Sequence, residues 1–205
     1  MYAAQTFNHL PDDRRLLIGW LRVPAPGMPF SQCMSIPINL SLVDTHQGPR
    51  LAYYPAPEIT KLVKTGRHEQ TPPQAIGRIF QAGDTIPTIP YEPPSIFALS
   101  LEVAPEGIFD VQFNGVSLVF NAPKSTLTAN DKTYPWPIEN SLVELTIVID
   151  RTVMEIFSED GLNYLAIPAR IEPGTPVITV REGDIKCILT VSRSLQPARL
   201  SSKLA

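Results

Sequence analysis

The residues with chemistry to offer are few and scattered. Acidic neighbours occur at Asp12-Asp13, at Glu159-Asp160 and at Glu182 with Asp184, and Asp150 stands beside Arg151. Two carboxylates can divide acid and base work between them only where they share a site. Each of these pairs falls between apolar runs, where the chain turns. They read as solvated turn residues, and Asp150-Arg151 reads as a pair that stabilises a strand end. Cys33 and Cys187 lie far apart in apolar surroundings and read as buried free thiols, since spacing alone does not show that two cysteines meet. His9, His46 and His68 are isolated in turn-like contexts and are expected to face solvent. The sequence has no Cys-x-x-Cys, no Cys/His cluster and no Gly-x-Ser-x-Gly elbow, so no metal, cofactor or activated nucleophile is expected.

The elements that hold these residues read as strands, and residues 142–168 organise the rest. Val143, Leu145, Ile147 and Ile149 fall on one face of the first run, and Leu142, Glu144, Thr146 and Val148 on the other. A period of two marks a strand. Asp150-Arg151 breaks the run, 152–157 is a second strand, and 158–161 is a hairpin loop in which Asp160-Gly161 supplies positive φ. A third strand, 162–167, stops at Pro168, which makes an antiparallel meander.

Upstream, 2–7, 15–23, 33–43 and 50–54 read as strands joined by short turns, with Pro37 marking an edge or a bulge. Such a sheet has the shape of one propeller blade. Leu16, Leu17, Ile18, Trp20 and Leu21 are more apolar side chains than one sheet can bury by itself, so an uncovered blade face is expected to self-associate or bind a partner. Residues 55–74 read as a linker with a short helix at Ile59, Leu62 and Val63. From 75 to 196, short strands at regular spacing, with a hairpin at Asn114-Gly115, predict a two-sheet antiparallel sandwich. Residues 197–205 read as a frayed polar tail. The fold class is therefore all-β: a blade-like antiparallel sheet at 1–54, the linker, and a β-sandwich.

Composition agrees. There are 22 prolines among 205 residues, which argues against long helices. A net charge of −3 gives no electrostatic case for nucleic acid or an anionic membrane. The opening MYAAQTFNHL is neither a signal peptide nor a membrane span. A chain complete as given is expected to stay in the cytoplasm; in a piece of a longer protein, a signal would lie on the other part.

Two segments carry a resemblance. IDRTVMEIFSEDG is similar to the V-D-R-(S/T)-x-(V/I)-E-(V/I)-F-x-N-D-G segment in the C-terminal β-sandwich of glycoside hydrolase family 32, the levanases, inulinases and invertases. YAAQTF, RRLLIGWL, MPFSQCMSIPINLSL and GPRLAYYPAPEI resemble the last propeller blade of that family in order and spacing, so the likeness spans about residues 2–168. Asn39 stands where the family usually has Glu, and Met1 where it commonly has Asp.

The resemblance implies retaining hydrolysis of β-fructosidic bonds by a nucleophilic Asp and an acid/base Glu, about 5 Å apart across the bond. The family's Asn-Asp-Pro, Arg-Asp-Pro and Glu-Cys motifs are all missing from this sequence. No catalytic residue is therefore assigned, and the chain is expected to be inactive alone. It reads as a C-terminal fragment with a structural or docking role, its partners a complementary propeller fragment, a second copy through residues 2–54, or fructan. The alternatives are a free-standing carbohydrate-binding sandwich and an unproductive gene fragment. Trp20 and Trp136 are the candidate substrate-binding residues, because aromatic faces stack on sugar rings. The resemblance puts the loop after Trp20 near the rim of the active-site funnel, and Trp136 lies between prolines in a loop. For each, a place in the core is the competing reading.

Overall fold

The computed structural model describes residues 1–25, 27–70, 72–138 and 140–196, with 64–70 as backbone. The expected frayed tail, 197–205, lies outside the described residues. In chain order the strands are β1 (Tyr2–Phe7), β2 (Arg15–Leu21), β3 (Cys33–Met34), β4 (Ile38–Thr45), β5 (Gly48–Pro55), β6 (Val63–Gln70), β7 (Ile79–Phe80), β8 (Thr85–Ile86) and β9 (Ser95–Val103). Then come β10 (Ile108–Phe113), β11 (Val116–Asn121), β12 (Thr126–Ala129), β13 (Lys132–Pro135), β14 (Leu142–Ile149), β15 (Val153–Ser158), β16 (Tyr164–Pro168), β17 (Val177–Glu182) and β18 (Ile185–Leu195).

These strands make three antiparallel sheets. The first is the blade, in the order β1-β2-β4-β5 with β3 on β2. Pro37 splits the expected strand 33–43 into β3 and β4, as a residue without an N–H should. The second sheet runs β13-β12-β11-β10-β17-β8, and the third β16-β15-β14-β9-β18-β6 with β7 on β18. The expected meander is β14-β15-β16, and Asn114-Gly115 closes β10 on β11 with Phe113 opposite Val116. Residues 57–62 form a 3-10 turn. The second half of the expected linker is not a free connector, because β6 hydrogen-bonds along β18 in the third sheet.

The second and third sheets face each other across the main core. Val143, Leu145, Ile147 and Ile149 of β14 and Phe97, Leu99 and Leu101 of β9 meet Phe109, Val111 and Phe113 of β10 and Leu118 and Phe120 of β11. The Phe97 and Phe113 rings cross between sheets at 5.6 Å, edge to face. The third sheet is apolar on both faces. Ile96, Val148, Phe157 and Leu195 point outward, and the blade covers them with Leu17, Ile36, Ile38, Leu40 and Tyr53. The blade thus closes the sandwich from outside as a third layer.

Candidate functional site

The acidic pairs singled out in the sequence are solvent-exposed at Asp12-Asp13, Glu159-Asp160 and Glu182 with Asp184, and they do not gather. Asp150 shapes its turn: its carboxylate accepts from the Arg151 N–H at 2.7 Å, and its own N–H donates to the Val153 carbonyl at 2.9 Å. Neither cysteine is in a disulfide; Cys187 is buried in the main core and Cys33 is half-buried. His9 and His46 are exposed, and the His68 side chain lies outside the described residues. Among the described residues no His, Cys, Asp and Glu side chains group as a metal site would require.

The two tryptophans have different surroundings. Trp136 is only 3% exposed, packed edge-on against Phe120 at 6.3 Å. It belongs to the main core, so it is not the exposed platform that its place between prolines suggested. Trp20 is half-buried on the blade, with Tyr2 edge-on at 6.2 Å and the Arg22 guanidinium 5.9 Å above its ring.

The seam between blade and sandwich holds a carboxylate that sequence reasoning passed over. Glu155 is 2% exposed and is the one charged residue buried among those described. It lies on β15 with Val153 and Phe157, on the face turned to the blade. Its Oε1 accepts from the Ile36 N–H of the blade at 2.9 Å, and its Oε2 from the Tyr164 hydroxyl of β16 at 2.6 Å. Burial pushes its carboxyl up to about 7, although both hydrogen bonds favour the ionised form. Burial likewise raises the Tyr164 phenol, and raises the Cys33 thiol with help from the Glu155 and Asp150 charges. The sequence signal was a carboxylate inside the unbroken apolar run Val153-Met154-Glu155-Ile156-Phe157.

The loop between β15 and β16 grips the blade's outer strand. The Asp160 carboxylate accepts from the Ser158 hydroxyl at 2.5 Å and the Leu162 N–H at 2.8 Å, which sets the turn. Gly161 then has φ +73, and its carbonyl accepts from the Tyr53 N–H at 2.8 Å. The Tyr54 hydroxyl donates to the Asp160 carbonyl at 2.8 Å. A Cβ at Gly161 would stand 2.5 Å from the Tyr54 ring. Beside this grip lies a cleft of about 590 Å³ lined by Tyr53, Tyr134, Trp136, Asn163 and Tyr164.

The other face of the blade has no cover within the described residues. Strand alternation puts Leu16, Ile18 and Trp20 opposite to Leu17 and Leu21, and cross-strand pairing adds Phe7, Tyr2 and Met34. Tyr2 is 60% exposed, Met34 54% and Phe7 49%.

No family model matches the sequence, and no curated protein matches it. Solved structures do. An exo-inulinase from Aspergillus awamori matches with TM-score 0.75 at 15% identity, over 95% of this chain and 43% of that one. A β-fructofuranosidase of glycoside hydrolase family 32 from Bombyx mori matches with TM-score 0.64 at 16% identity, over 96% and 41%. A fructan 1-exohydrolase from Cichorium intybus matches with TM-score 0.67 at 14% identity, over 97% and 48%. At such identities the likeness is one of fold. The chain spans less than half the length of these proteins, a share that fits the C-terminal portion of the family 32 fold, one propeller blade and the sandwich it leans on.

Proposed function

We propose that this chain is the C-terminal portion of a family 32 β-fructosidase, without catalytic power of its own, whose blade docks the remainder of the propeller. The observation that carries this reading is the blade's division of labour. One face is sealed on the sandwich, while the other presents Tyr2, Phe7 and Met34 to solvent and leaves Leu16, Ile18 and Trp20 half-buried beside them. Leaving such side chains exposed costs about 1.5–3 kcal/mol each relative to burial. The neighbours of this fold are more than twice as long, so a second blade is the occupant that the fold itself supplies. The Asn-Asp-Pro, Arg-Asp-Pro and Glu-Cys motifs that the resemblance calls for are missing here, so the carboxylates belong to that other part.

The test is complementation. The purified chain should release no fructose from sucrose, inulin or levan. Coexpression with a propeller portion that bears the motifs should restore release, and Trp20→Ser should weaken it. Turnover by the chain alone, surviving repurification, overturns the reading. So does a partner that binds with no need for the blade.

A second reading is a carbohydrate-binding module, favoured by the tyrosine-lined cleft beside the β15–β16 loop. Concave sites rich in aromatic rings with a few polar groups suit sugars. Calorimetric titration with a short fructan checks it: binding that is lost in Tyr53→Ala supports the module, and no heat at millimolar ligand removes it.

A further inference from the structure

The seam carries a device that holds whatever the blade docks. Among the described residues, Glu155 is the one buried ionisable side chain that ties the blade backbone to the sandwich. Its two oxygens are taken by the Ile36 N–H on one side and the Tyr164 hydroxyl on the other. Its neighbours across β14 and β16 in register are Val148 and Ala166, which offer no charge. The turn at 150–152 brings Asp150, the blade brings Cys33, and β16 brings Tyr164; each would add negative charge or none. No lysine, arginine or histidine among the described residues pairs with Glu155. Tyr53 of the blade stacks on Tyr164 at 6.1 Å, so the phenol that meets Glu155 also bears on the blade's outer strand.

We propose that Glu155 is an acid-tightened latch: its protonated carboxyl holds the blade closed on the sandwich, and its ionised form loosens that joint and lets water in.

The chemistry of the two states differs in one proton, exchanged with solvent. When neutral, the carboxyl keeps its carbonyl oxygen on the Ile36 N–H and donates its hydroxyl to the Tyr164 oxygen, while the hydrogen of the half-exposed Tyr164 turns to solvent, so no charge is buried. When ionised, the carboxylate keeps two donors but has no cation, and Asp150 lies near. An unpaired buried charge is relieved by hydration, and here hydration means parting the blade from β15. The open joint gives Glu155 an ordinary carboxylate environment. The closed state therefore binds the proton more tightly than the open one. Opening grows as pH rises from the ordinary carboxylate range to the raised value near 7 of the closed joint, and it levels off above that.

Amide hydrogen exchange of the 205-residue chain, corrected for the intrinsic pH dependence of exchange, tests this between pH 4.5 and 8.5. The Ile36 amide should show an opening constant that grows roughly 100-fold from pH 4.5 to 7 and then stays level. The Leu99 and Phe97 amides in the sandwich should keep their protection throughout. In Glu155→Gln the Ile36 profile should be flat. In Tyr164→Phe, which removes a donor from the ionised form, the rise should continue to higher pH. A flat Ile36 profile in the unaltered protein overturns the latch. So does an unchanged profile in Glu155→Gln, or equal loss of protection at Leu99, which would make the effect global. If Glu155→Gln does not fold, the unaltered protein and Tyr164→Phe decide alone, since a latch requires the second profile to extend beyond the first.

Discussion

Glu155 shows how one residue acquires chemistry from its surroundings. A glutamate in a strand is ordinary; one that is enclosed by two layers of sheet and given no cation is not. The sign of its effect on stability follows from the raised carboxyl. Its contribution to folding is full below the ordinary carboxylate range of the unfolded chain and is lost as pH rises toward about 7. Urea unfolding of the unaltered chain should therefore lose about 2 kcal/mol between pH 5 and 7.5 relative to the same comparison in Glu155→Gln. The opposite sign belongs to Glu58. There the Arg14 guanidinium, paired through both nitrogens at 2.8 and 2.9 Å, holds the carboxyl down to about 2. Glu58 is exposed, and what it adds is lost only as the solution becomes strongly acid. Trp136 makes the same point about surroundings. A loop tryptophan between prolines looks like a platform until its ring is found against Phe120. Trp136→Ala should cost about 3–5 kcal/mol in urea unfolding, as a buried aromatic does; a change below about 1 kcal/mol would return the ring to the surface.

At the scale of elements, β15 is the strand that joins the layers. Met154 and Ile156 point into the main core, and Val153, Glu155 and Phe157 point to the blade. Ile156→Ala and Phe157→Ala should each be costly, about 2–5 kcal/mol, although their side chains leave opposite faces. In a sandwich without the blade, Phe157 would be solvent-exposed and its substitution nearly neutral, so equilibrium unfolding of the pair discriminates. The loop after β15 is equally constrained. Gly161 combines φ +73 with a site for Cβ only 2.5 Å from the Tyr54 ring. Gly161→Ala should destabilise by about 1–3 kcal/mol and raise protease cleavage within the blade. Unchanged cleavage would mean that this grip contributes nothing to holding the blade.

For the whole molecule, the question is what lies on the outward face of the blade. Sedimentation velocity at micromolar concentration should show concentration-dependent association through Tyr2, Phe7, Trp20 and Met34 when no other propeller portion is present. Trp20→Ser should shift the chain toward monomer, while Leu17→Ser, on the sealed face, should unfold the seam instead. A monodisperse monomer with a protease-resistant blade would mean that the exposed face is tolerated in water.

Much of this was legible in the sequence. Alternation at β14, the Asn114-Gly115 hairpin, the irregularity at Pro37 and the two resembling segments each record a local rule: a period of two, a positive φ, a missing N–H. Such rules act between residues close in the chain, so they leave a mark in the sequence. What the sequence left open depends on which surfaces meet. The strand at 63–70 reads as linker because only β18, more than a hundred residues away, supplies its partner. Ile156 and Phe157 are both buried because two different layers arrive on either side of β15, whereas one sheet would have buried only one of them. Glu155 became a buried acid for the same reason. Burial and proton affinity are properties of a place in three dimensions, and only tertiary packing decides where the second layer falls.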